Sequence, residues 1–220
     1  MLLFYAPDIT PPLYTLSEEE SGHCVRVLRL REGDRLHITD GRGTLYEAEV
    51  VDPHPKRCTI RIVEEHREWE KRPYQLTVAV APTKNIDRII PTLCDHSERK
   101  VVKSERLDKI AISAMKQSLK AYLPQIDELT PLRQVLTMPF EGTKLIAHCE
   151  ENMERVFIGE RLVAGDNVLV LIGPEGDFSP EEITLARENG FVEVSLGGCR
   201  LRTETAALAA TMYTAFVNSN

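Results

Sequence analysis

Two short stretches hold the residue types from which a binding and reaction site can be built. The first is Leu171-Ile-Gly-Pro-Glu-Gly-Asp-Phe-Ser-Pro180. Gly173 and Gly176 allow a ligand to approach the main chain closely, and Pro174 stiffens the turn. The same residues would equally make a plain tight connection between a strand and a helix. Neither the glycine spacing nor a following Gly-Lys-Ser/Thr matches a dinucleotide or phosphate-loop motif. The second is Ser195-Leu-Gly-Gly-Cys-Arg-Leu-Arg-Thr-Glu-Thr205, which gathers Arg200, Arg202 and Glu204 in a glycine-containing segment. A guanidinium there can stabilise a developing anion and a carboxylate can hold a proton. The plain alternatives are an Arg202–Glu204 ion pair, or Glu204 favouring the start of the next helix through its dipole.

The pattern around these stretches specifies what must position them. From Tyr74 onward, strands expected at 76–81, 89–94, 144–149, 167–172 and 192–196 alternate with helices at 104–119, 180–188 and 203–216. Such alternation signals a mainly parallel α/β sheet. Ser179 suits an N-cap, Pro180 the first helical position and Glu182 the third position of a capping box, while Asn189-Gly190 stops the helix. Both motifs then follow a strand, which places them at the same edge of the sheet. Residues 1–70 read differently, as short alternating strands at 35–39, 44–51 and 58–63 parted by turn signals. Between the turns, Ser17 caps a short helix running into His23-Cys-Val-Arg-Val-Leu28. This predicts a small β-barrel, and the polar run 64–73 reads as a linker.

One spacing conflicts with the rest. Only seven residues, 82 to 88, separate the first two strands of the α/β region. Parallel neighbours need a crossover of about a dozen residues or more. Either the two strands are not parallel neighbours, or a helix is missing between them.

Bulk properties narrow the function class. The 220 residues are 42% hydrophobic and 28% charged, as expected of a globular chain without a membrane span. The N-terminal Met-Leu-Leu-Phe-Tyr has no basic lead and is interrupted by Pro7 and Asp8, unlike a signal peptide. Five scattered cysteines without a CxxC pair fit a reducing cytoplasm and argue against disulfides or a structural metal. The net charge of −7 speaks against a polyanionic partner. Residues 84–124, however, carry nine basic against five acidic side chains, and Arg26, Arg29, Arg31 and Arg35 cluster near the start. A local basic face can bind RNA whatever the overall sign, because phosphate contacts are short-range at physiological salt.

Taken together, Ile172-Gly-Pro-Glu-Gly176 and Leu196-Gly-Gly-Cys-Arg-Leu-Arg-Thr-Glu-Thr-Ala206 closely resemble the RsmE-type methyltransferases of the SPOUT superfamily. His23-Cys-Val-Arg-Val-Leu-Arg29 with Gly33-Asp34 and Asp40-Gly41 is similar to that family's RNA-binding domain. So are Ser97-Glu-Arg-Lys100 and Gln117-Ser118 to later motifs. The resemblance covers nearly the whole chain. It implies a PUA-like β-barrel at 1–70 followed by a SPOUT α/β domain at 71–220, with a trefoil knot near 145–220. It further implies a cytoplasmic homodimer that uses S-adenosylmethionine to methylate N3 of a uridine in 16S ribosomal RNA, free or within the small ribosomal subunit. Two rivals are a SPOUT ribose 2′-O-methyltransferase and a non-catalytic RNA-binding assembly protein. The chain departs from the family pattern at Asp177 and Leu119, where a glycine is usual, and in the short crossover, where the family has a helix.

Methyl transfer from a sulfonium needs no metal, and none is expected. Uracil N3 is a poor nucleophile until it loses its proton, so a base or a stabilising cation is needed. The resemblance implies cofactor contacts from Ile172, Gly173, Gly176, Leu196, Gly197, Leu201 and Thr205. His148 either lines the same pocket or faces solvent. Arg202 is the candidate cation, with Glu204 and Glu175 as candidate base or positioning groups. Arg26, Arg29, Lys84, Arg99 and Lys100 are candidate phosphate contacts or plain surface charges.

Overall fold

Apolar residues alternating with polar ones along the N-terminal segment form a curled five-stranded sheet. Its strands are β1 (Leu3–Tyr5), β2 (Leu13–Thr15), β3 (Arg35–Thr39), β4 (Leu45–Asp52) and β5 (Thr59–His66), in the order β1-β3-β4-β5-β2. The structure is a computed structural model that describes residues 2–69, 71, 75–79, 88–98, 100–150 and 152–219. Register shifts between β4 and β5 at Glu47/Ala48 and Val50/Asp52 bend the sheet. The bend closes Phe4, Leu36, Ile38, Val50 and Ile60 onto one core. Before β3, α1 (Glu18–Gly22) starts at Ser17, whose hydroxyl accepts the Glu20 N–H, and runs into a wide π-type turn at His23–Val27.

Two expectations for this part need correction. The run 64–73 is not linker throughout, because Glu64 and His66 continue β5 opposite Glu47 and Leu45. Backbone pairing extended the strand although its side chains there are mostly solvated. The unit also does not end at residue 70. It comprises Met1–Lys71 together with Ala111–Leu123, the latter taking in the second half of α2 (Ser104–Gln117). Ala111, Met115 and Ala121 are buried, and Lys116 Nζ lies 2.6 Å from Glu20 Oε1. The Ala121 carbonyl accepts hydrogen bonds from Thr39 Oγ1 at 3.2 Å and Gly43 N–H at 2.9 Å.

The second unit, Arg72–Ile110 with Pro124–Asn220, is built on a seven-stranded sheet. In chain order its strands are β6 (Leu76–Ala79), β7 (Arg88–Ile90), β9 (Gln125–Ile126), β11 (Thr143–Ala147), β12 (Val156–Phe157), β13 (Val168–Ile172) and β14 (Val192–Ser195). Their order is β12-β14-β11-β13-β6-β7-β9, parallel in every pairing. β8 (Thr92–Leu93) and β10 (Thr130–Pro131) form a separate parallel pair. The single strand expected at 89–94 is therefore two, since Pro91 has no N–H to continue the ladder.

β13 is buried along its whole length because both faces of the sheet are covered. Val168, Val170 and Ile172 pack with Leu145, Val194 and, from α5 (Thr203–Val217), Ala207 and Ala210. Leu169 and Leu171 point the other way. They meet Val135 and Leu136 of α3 (Leu132–Thr137) and Ile183 and Ala186 of α4 (Pro180–Glu188). α4 has the expected bounds and the full Ser179–Glu182 capping box.

The crossover conflict resolves in one direction: β6 and β7 are parallel neighbours, with Thr77 opposite Arg88 and Ala79 opposite Ile90. The paired stretch is so short that the chain must return only about 7 Å along the strands and about 5 Å sideways. The connecting residues are 80–87. They lie outside the described residues, as does Lys84.

Candidate active site

β14, β11 and β13 lie side by side and parallel, so the segments after them leave one carboxyl edge of the sheet. Ligands of open α/β sheets bind at that edge. Here the three segments enclose a cleft of about 460 Å³. His148 and Cys149 come from the end of β11, and Ile172, Gly173, Glu175 and Asp177 from beyond β13. Leu196, Gly197, Leu201 and Arg202 follow β14, and Ala206 belongs to α5.

The segment after β13 is held by a dense set of hydrogen bonds. Asp177 has φ of +63°, the left-handed region where glycine is usual and aspartate is among the better-tolerated alternatives. Its carboxylate accepts the Cys149 N–H at 2.7 Å and the Phe178 N–H at 2.9 Å. The bond to Cys149 explains why β11 ends at Ala147, short of the expected 149: that amide leaves the ladder for the loop. A Cβ at Gly173 would meet Asp177 Oδ1 at 3.1 Å and the Phe178 ring at 3.2 Å, so a larger residue there must displace one of them by a few tenths of an ångström. Leu119, the other position with a non-glycine in place of a usual glycine, also has positive φ, +55°, and it terminates α2.

The segment after β14 is tied more loosely. Ser195 Oγ bonds the Gly197 amide and carbonyl, and the Tyr213 hydroxyl reaches the Leu196 carbonyl at 3.4 Å. Two contacts join the segments: Thr203 Oγ1 donates to the Gly173 carbonyl at 3.0 Å, and Arg200 reaches the Glu175 carbonyl at 3.5 Å.

His148 is buried, not solvent-facing. Its Nε2 lies 3.1 Å from Glu193 Oε2, while Nδ1 accepts the Glu150 N–H. The ring is therefore the Nε2–H tautomer donating to Glu193. Burial lowers its pKa and outweighs the opposing effect of the Glu193 carboxylate, which keeps the ring neutral. Glu193 is shared with Arg187 at 2.7 Å, and Arg155 donates to the His148 carbonyl at 2.6 Å.

A second cavity of about 740 Å³ meets the first at Pro174, Glu175 and Thr203. His96, Glu98, Lys103, Arg106 and Glu204 also line it. Cys94, close by in sequence, is buried, and desolvation pushes its thiol up to about 12, which leaves it unreactive.

Of the residues singled out in the sequence, His148, Ile172, Gly173, Glu175, Leu196, Gly197, Leu201 and Arg202 line the first cleft. Gly176, Glu204 and Thr205 do not. Gly176 lies against His96, Glu204 faces the second cavity and Thr205 is exposed on α5. Among the described residues no ion pair joins Arg202 to Glu204, so that simple explanation of the two charges falls. Arg155, Asp177 and His96 carried no signal for a site role in one sequence, apart from the departure from glycine at 177. Arg26, Arg29 and Lys100 are exposed, and Arg99 lies outside the described residues.

A family model described as the RNA methyltransferase domain matches residues 70–215, and one described as the RNA methyltransferase PUA domain matches residues 16–63. The chain is 28% identical over 215 residues to ribosomal RNA small subunit methyltransferase E of Rickettsia conorii, covering 89% of this chain and 86% of that protein. A structure described as a probable rRNA-methyltransferase from Porphyromonas gingivalis is 40% identical with a TM-score of 0.92, covering 100% of this chain and 99% of that one. Ribosomal RNA small subunit methyltransferase E from Neisseria gonorrhoeae, solved bound to S-adenosyl methionine, is 25% identical with a TM-score of 0.83, covering 99% and 98%.

Proposed function

We propose, from the premise that this chain belongs to the RNA methyltransferase domain family, that it methylates N3 of a uridine in 16S ribosomal RNA. The chain is an S-adenosylmethionine-dependent ribosomal RNA methyltransferase with a PUA-like domain and an α/β methyltransferase domain. The observation that carries the site assignment is the convergence of three post-strand segments on one cleft.

The residues present suit that cofactor. The cleft volume falls within the roughly 300–1,000 Å³ of small-molecule sites, and Ala147, Ile172, Leu196, Leu201 and Ala206 provide apolar walls. Main-chain groups around Gly173 and Gly197 would supply the polar contacts. When bound, the sulfonium supplies an electrophilic methyl carbon. The protein's part is to hold the acceptor in line and to favour its anion. Arg202, exposed in the cleft wall and in no ion pair among the described residues, is the cation for the deprotonated base. Glu175 borders both cavities and orients the acceptor. Arg26 and Arg29 in the first unit and Lys100 in the second serve as phosphate contacts.

Two further features belong to this proposal. The exposed stripe Leu208, Met212 and Phe216 recurs every four residues on α5, as a homodimer interface would. Sedimentation of the wild type and of Met212→Glu tests it, and a monomeric wild type would sink it. The C-terminal segment forms the trefoil knot, consistent with β14 lying between β12 and β11 while α5 packs on β13. An unthreaded chain trace in an experimental structure would exclude the knot. We place the enzyme in the cytoplasm, where its RNA is; no described helix is long and apolar enough to cross a membrane.

The deciding experiment incubates the protein with unmodified small ribosomal subunits and labelled S-adenosylmethionine, then digests the RNA to nucleosides. The expected product is 3-methyluridine. A ribose-methylated product would instead select the 2′-O-methyltransferase alternative.

A further inference from the structure

We propose that His96 is the catalytic base that takes the N3 proton of the acceptor uridine; this deepens, and rests on, the methyltransferase reading. His96 Nδ1 lies 3.0 Å from the Gly176 carbonyl oxygen and 3.0 Å from that of Asp177. Carbonyl oxygens only accept hydrogen bonds, so Nδ1 carries a proton, and in a neutral ring the lone pair is then on Nε2. The approach depends on Gly176, where a Cβ would come within 2.9 Å of His96 Cβ. With Nδ1 against the loop, the exposed His96 is one of the residues that line the second cavity, and Nε2 is the ring nitrogen left for a ligand there.

That cavity suits the acceptor. It meets the cofactor cleft at Pro174, Glu175 and Thr203, and Lys103 and Arg106 supply cations that would favour a uridylate or a flanking phosphate. Among the described residues, the other charged groups beside His96 in the chain, in the loop it contacts or lining the cavity are Asp95, Glu98, Glu175, Asp177 and Glu204. Asp95 is engaged, accepting from the Ser179 hydroxyl at 2.9 Å, and Asp177 holds two amides. The carboxylates of Glu98, Glu175 and Glu204 also line the cavity, but unlike the His96 ring none of them has a side-chain hydrogen bond to the loop that would fix its orientation among the described residues.

The N3–H bond breaks, its proton passes to Nε2 and the electron pair stays on N3. That pair forms the new N–C bond as the C–S bond breaks and its electrons return to sulfur. The imidazolium then gives its proton to water.

The test uses the full chain and unmodified small ribosomal subunits. His96→Asn keeps an N–H donor for the loop carbonyls and removes Nε2. Expected are a fall in methylation rate of about 10²–10³-fold, loss of the acid limb of the kcat/KM pH profile, and S-adenosylmethionine affinity within about twofold of wild type by calorimetry. Nitrogen-15 NMR of the wild type, without cofactor, should show the Nδ1–H tautomer at His96. If His96→Asn fails to fold, His96→Gly with added imidazole should recover methylation in proportion to imidazole concentration. Near-wild-type methylation by His96→Asn with an unchanged pH profile, an Nε2–H tautomer, or absence of imidazole rescue would each overturn the assignment. A wild type that forms no 3-methyluridine would instead remove the methyltransferase reading itself.

Discussion

The two segments that enclose the cleft are built in opposite ways. Residues 173–179 are fixed from all sides, by Asp177 to Cys149, by His96 to two carbonyls, and by Ser179 to Glu182 and Asp95. Residues 196–202 have few anchors, and at Gly198 a Cβ would meet nothing within 4 Å. The difference divides the labour. The first segment is a floor whose conformation these bonds already fix, so ordering it should add little cost on binding. The second, the cover, carries Arg200 and Arg202 on a stretch with fewer hydrogen bonds to its surroundings.

The largest expected effect comes from the cover. Arg202→Ala should lower methylation by about 10²–10³-fold, with cofactor affinity changed little, as read by single-turnover assays beside calorimetry. Equal losses in both would place Arg202 in cofactor binding and collapse the distinction. Asp177→Ala attacks the floor. It strands the Cys149 amide and should cost about 2 kcal/mol of stability together with most cofactor affinity, measured by denaturant unfolding and titration. Gly173→Ala should cost about 1–2 kcal/mol, because Phe178 is buried and Asp177 is held by two bonds and neither can give way easily. Gly198→Ala is the control on the cover, and its unfolding midpoint should correspond to a change within about 0.5 kcal/mol. A Gly198 variant as damaging as the Gly173 variant would mean that the two segments are equally constrained.

Much of this architecture was legible because it rests on local signals. The bounds of α4 followed from Ser179, Pro180, Glu182 and Asn189-Gly190, which act within one turn of the chain. The three longer barrel strands followed from period-two alternation. β1, β2 and α3 were missed because three to six residues do not establish a period. Residues Ala111–Leu123 were assigned to the wrong unit because helical periodicity shows that a face is apolar but not what covers it.

The candidate site divides along the same line. Ile172-Gly-Pro-Glu-Gly176 and the Leu-Arg-Thr-Glu-Thr run were visible as motifs, and each sits beside its strand as expected. What the sequence determined by itself was therefore the set of local conformations: where strands end, where α4 is capped, where the chain can turn. Only the tertiary structure decided which of those turns share a cleft, that Glu204 looks into a different cavity from Arg202, and that His96 lies against Gly176, 80 residues away. The physical reason is range. Capping and alternation act between neighbours in the chain, whereas strand order and the meeting of loops arise from burying two faces of one sheet at once, which no short window of sequence contains.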